Sequence, residues 1–164
     1  MEQRLFDCQQ MFRHACAFSD IADIAERRFS HESADIEWYI TPAIVNSAFA
    51  CEVFLKALLY HNNDLEIRKH EISELFDLLP EQTKEQIKRD VMTQYGGIWS
   101  DPFGRRIVDD ISNVFVDWRY SYELGRNEKS SMHIDRGFLT VFRNTLREIC
   151  CQLFFNRTWG DYNR

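Results

Sequence analysis

Apolar residues recur along this chain at steps of three, four or seven, and that period constrains its fold more than any other feature. Leu5, Cys8, Phe12, Ala15, Ala22 and Phe29 keep the step across residues 3 to 29, which predicts a first helix with one buried stripe. Residues 30 to 40 lose the pattern and read as a connection. A second helix is expected to open at Thr41-Pro42, where an N-cap residue precedes a proline at the first helical position. It carries Ile44, Ala48, Cys51, Leu55 and Leu59 on one face and should end near Tyr60, at the polar tract 61 to 64. Glu71 to Leu79 reads as a short third helix stopped by Pro80, and Glu81 to about Tyr95 as a fourth stopped by Gly96-Gly97. Ile107, Ile111, Phe115, Trp118 and Tyr122 define a fifth that ends at Gly125. Phe138, Phe142, Leu146, Ile149 and Leu153 define a sixth, from about Ile134 to Phe155.

Punctuation agrees with the period. Only six glycines and three prolines occur in 164 residues, too few for the tight turns of a multi-stranded sheet but enough for long helices with short connections. At 45% hydrophobic and 28% charged residues, the chain can fold on its own around one core. The expected architecture is all-α: an antiparallel helical bundle of five to six helices, forming a single domain over residues 1–164.

The N-terminal segment is charged, and no run of eighteen or more apolar residues is present, so neither secretion nor a membrane span is expected. The five cysteines are odd in number and include no C-x-x-C pair, so they read as reduced, core-filling thiols in a cytoplasmic protein. No H-x-x-x-H or H-E-x-x-H pattern points to a metal, and no cofactor is expected. The net charge of −6 argues against a protein that coats nucleic acid electrostatically. Residues 99 to 164 nevertheless carry ten basic residues against nine acidic ones, and nine of the ten are arginine. Guanidinium groups offer phosphate a planar fork, so a local phosphate site could lie in this half.

Two residues break the apolar stripes. Glu52 sets a carboxylate beside the buried face of the second helix and requires a partner. One candidate is Lys56, as a surface pair one turn on; the other is a cation from a different helix. Arg119 is the natural choice for the second, because it lies on the edge of the fifth helix's stripe among Trp118, Tyr120 and Tyr122, and aromatic faces suit a guanidinium. Arg119, Glu123 and Glu52 would then tie helices two and five together. His70 reads as packing or capping the start of the third helix.

These residues also carry a resemblance. AFACEVFLKALLYHNN in helix two, KHEISELFDLLP after it and FVDWRYSYE in helix five together resemble the HEPN domain, a helical family of prokaryotic defence and toxin systems. Ala48, Glu52, Lys56 and Ala57 resemble its A-x-x-x-E-x-x-x-K-A helix, and His70 with Leu75 and Leu78 its histidine-containing helix start. The resemblance covers about residues 40 to 125. It implies either a metal-independent endoribonuclease or a non-catalytic interaction module, working as a homodimer with RNA, a partner protein or an antitoxin. Active members of the family carry an arginine, four to six residues, then a histidine. Arg119 has no histidine at that distance, since Leu124, Gly125 and Arg126 stand there, whereas Arg126 reaches His133 after six residues. In such a site the histidine would move the 2′-hydroxyl proton while Arg126 and Arg119 held the phosphate. A nucleotide-binding helical module is a third reading, but no phosphate loop supports it.

Overall fold

The computed structural model describes residues 7–29, 36–62, 67–95, 102–103, 107–112, 114 and 134–164. Helices take up 84% of them, and no strand occurs among the described residues. In chain order they are α1 (Cys8–Phe29), α2 (Ile36–Asn62), α3 (Ile72–Asp77), α4 (Glu81–Tyr95), α5 (Ile107–Ser112), α6 (Arg136–Phe155) and α7 (Trp159–Tyr162). The fold is an all-α bundle.

α1 and α2 pack along much of their length. Six residues join them, a span of roughly 20 Å when fully extended, whereas α2 is about 40 Å long. A connection that short forces the pair to run antiparallel. α6 lies against α1, α2 and α4, α3 bridges α2 and α5, and α7 folds back on α6. α2 is therefore the central helix: Ile44, Ala48, Cys51, Phe54, Leu55, Leu58 and Leu59 are all buried. The segment Trp38–Asn62 is long and apolar enough to cross a membrane, but 72% of its most apolar stretch is buried inside the bundle, where a core helix needs the same composition.

Around Phe12 gather the rings of Phe54, Phe154, Phe155, Trp159 and Tyr162, with centroids 5.4 to 6.2 Å away. This cluster fastens the C-terminal turn to α1. Phe138 and Phe142 stack at 5.5 Å on α6 and meet Phe103 and Phe76. The helix ends have local causes. Asp135 accepts from the Phe138 amide at 2.8 Å as the N-cap of α6 and also receives the Tyr95 hydroxyl. Asn156 closes the same helix in the left-handed region, at φ 53°, where asparagine is better tolerated than most side chains.

The structure departs from the sequence reading in several places. α2 begins at Ile36 rather than Thr41, so Pro42 lies inside the helix. Pro42 cannot donate to the Trp38 carbonyl, but Trp38 is exposed and its carbonyl can turn to water. Leu153 continues the α6 stripe yet is 45% exposed, because it lines the open groove between α2, α4 and α6. α7 was not anticipated; it is four residues long, started by Thr158 accepting from the Asp161 amide. α4 runs from Glu81 to Tyr95, as its proline and glycine flanks require. The rest of the fifth helix's stripe, Phe115, Trp118 and Tyr122, lies outside the described residues.

Candidate functional site

On α2, Glu52 projects from the central helix toward the segment that leads into α3, and it is 4% exposed. One of its oxygens, Oε1, receives two donors: Lys56 Nζ at 2.9 Å and His70 Nδ1 at 2.8 Å. Lys56 is one helical turn along the same face. Its side chain is 13% exposed, so this is a covered pair rather than the surface pair expected from the spacing. His70 arrives from the other side of the 63 to 66 connection, and its side chain remains 74% exposed. The ring does not cap α3. Glu71 occupies the N-cap position, with no side-chain hydrogen bond to the helix.

The tautomer of the neutral imidazole follows from these contacts. A carboxylate oxygen has no proton to give, so the 2.8 Å bond requires the proton on Nδ1 of His70. Lys56 Nζ stands 3.4 Å from the same nitrogen and cannot donate to it as well; both cations or donors converge on Oε1 instead. In the neutral ring, Nε2 is therefore the nitrogen with the free lone pair, and the side chain that carries it is largely in water. Glu52 is fixed and His70 is presented.

Arg119, Tyr122, Glu123, Arg126 and His133 all lie outside the described residues. The structure thus joins Glu52, Lys56 and His70, and its description does not extend to the arginine-histidine pair in the second half of the chain.

A second polar cluster escaped the sequence reading. Arg143 is fully buried on α6, donating to Asp23 of α1 and, at 3.2 Å, to Ser47 of α2. One turn on, Arg147 donates to Ser19 at 3.2 Å and Asn144 at 3.0 Å, lies 3.9 Å from Asp20 and rests 4.5 Å over the Trp159 ring. The Nε atoms of both arginines are buried without an acceptor among the described residues. Burial pushes the Arg147 pKa below its ordinary value, partly opposed by Asp23. Two arginines one turn apart on an apolar helix, with Ser19, Asp20 and Asp23 spaced along α1, were the signal. The cluster is closed to a ligand and acts as an internal tie between α1, α2 and α6.

All five cysteines are free and buried. Burial pushes the Cys16 and Cys51 thiols up to about 12, so they are protonated at neutral pH and poor nucleophiles. Among the described residues no group of three histidine, cysteine, aspartate or glutamate side chains could hold a metal ion. An open groove of about 320 Å³ between α2, α4 and α6, lined by Leu58, Asn62, Thr83, Gln86 and Gln152 among others, contains no charged side chain.

The class that fold and site define is a helical bundle with one exposed histidine anchored on a buried carboxylate. In comparisons with protein-family models, curated proteins and solved structures, the chain matches none.

Proposed function

We propose that this chain is a HEPN-like protein of a prokaryotic defence or toxin system, working in the cytoplasm as a metal-independent endoribonuclease or an RNA-associated derivative of one. One observation carries the reading. The two segments that resemble the family's helix and its histidine-containing helix start are separate in sequence, yet Glu52 of the first and His70 of the second are bonded at 2.8 Å. A chance match of two short patterns gives no reason for them to meet. The chemistry this implies uses the RNA's own 2′-hydroxyl as nucleophile, with a side chain to take its proton and arginine to hold the phosphate. The test is to incubate the purified chain with mixed RNA in EDTA. Products ending in cyclic phosphate are expected; RNA left intact at micromolar protein over hours would overturn the catalytic form.

The second reading, a non-catalytic interaction module, is favoured by a different feature. Ile21 and Ile24 on α1 are 48% and 52% exposed, and Trp38 at the start of α2 is 74% exposed. Apolar side chains in water suit a homodimer contact or docking to a partner protein or antitoxin. Light scattering should give twice the chain's mass at micromolar concentration, and the mass of one chain would count against the dimer.

A further inference from the structure

We infer that His70 is itself an acid–base catalytic residue, with RNA as its substrate, and that Glu52 is its positioning residue; this rests on the proposed RNA-directed function. A histidine that only ties two segments together is expected to bury its ring and satisfy both nitrogens. His70 does neither. Its Nδ1 is held at 2.8 Å by a carboxylate that is 4% exposed, while the side chain is 74% exposed. Such an arrangement fixes the tautomer and the ring's direction and leaves Nε2 free to accept a proton from a bound molecule. Lys56 shares Oε1 of Glu52 at 2.9 Å, which holds the carboxylate in place on the rigid central helix. Arg68 and Lys69 precede His70 and Glu71 follows it, all exposed, and Lys69 Nζ is paired with Glu74 at 2.8 Å, so charges of both signs flank the imidazole.

The step balances without any added reagent. Nε2 of His70 takes the proton of the RNA 2′-hydroxyl as the 2′-oxygen forms its bond to phosphorus. The bond from phosphorus to the 5′-oxygen breaks, and that oxygen leaves with a proton from water. A 2′,3′-cyclic phosphate and a 5′-hydroxyl result, and His70 returns its proton to solvent.

The full-length chain and a single-stranded RNA oligonucleotide in EDTA test this. His70→Asn keeps a donor where Nδ1 stands, so it preserves the bond to Glu52, but it removes Nε2. Cleavage should fall by about 100-fold or more, the range for losing a general base, while the unfolding temperature stays within a few degrees of the parent. Wild-type cleavage in His70→Asn overturns the inference and leaves the proposed function standing, with catalysis then carried by His133. No cleavage by the parent chain overturns both. His70→Ala is the second variant and does not depend on the asparagine folding well: added imidazole restores its cleavage if a base is what was lost, and a rate unchanged by imidazole counts against the assignment.

Discussion

Replacing Asp23 by alanine is expected to destabilise this protein far more than removing the arginine it serves. Arg143 is fully enclosed, so once its carboxylate is gone the guanidinium cannot reach water, and Ser47 Oγ at 3.2 Å is the acceptor that remains. Stranding a buried charge costs about 3 to 5 kcal/mol; the remaining serine puts Asp23→Ala near the lower end, about 3 kcal/mol. For a domain of this size that lowers the unfolding temperature by roughly 6 to 12 °C. Arg143→Met removes the cation together with its unsatisfied Nε and keeps much of the side-chain volume. The Asp23 carboxylate left behind is 34% exposed and can be hydrated, so the loss should be about 1 kcal/mol or less. The double variant should therefore be more stable than Asp23→Ala alone. Urea titration of the four proteins at pH 7 measures the coupling, expected at about 2 kcal/mol. An Asp23→Ala loss below about 1 kcal/mol, or a double variant equal to the sum of the singles, would refute the buried-charge reasoning.

Lys56→Met should cost about 3 kcal/mol by chemical unfolding, because Glu52 is covered and keeps only the exposed His70; a change within about 1 kcal/mol would show that the carboxylate is hydrated. Asp135→Ala removes the α6 N-cap and the acceptor of the Tyr95 hydroxyl, so a loss of about 1 to 2 kcal/mol is expected, read as a lower urea midpoint. Cys51 titrates near 12 in the fold against an ordinary 9.0, so the folded chain keeps a proton that the unfolded chain releases between those values. Stability from this thiol is complete below pH 9 and falls as pH rises toward 12; the fall of the urea midpoint across that window should be shallower in Cys51→Ala, and an equal fall in both proteins would dismiss the effect. A thiol reagent should label the five buried cysteines slowly in the native protein at pH 7.5 and all five in urea.

Local signals in the sequence determined the helices. The three-four spacing marked α1, α2 and α6, and where proline and glycine bracketed a segment, as at Pro80 and Gly96 around α4, the boundaries agreed with the structure. Proline misled at α2, because whether Pro42 starts a helix or sits inside one depends on whether the lost backbone bond faces water, which is a property of the packed bundle. Glu52 was legible as a carboxylate in need of a partner, since its place on an apolar stripe is a fact of periodicity. Of its two partners, only Lys56 was. A spacing of four suggests Lys56, but His70 is eighteen residues away, and only the path of the chain from α2 back to α3 brings it within 2.8 Å. Arg143 and Arg147 show the same limit more sharply. In the sequence they are two arginines among many, and they become buried only when α1 supplies Asp23 and Ser19 from more than one hundred residues away. The helical period depends on neighbours along the chain, whereas the cost of burying a charge depends on what surrounds it in space, so the sequence by itself determined the elements and the tertiary structure decided which charges they enclose.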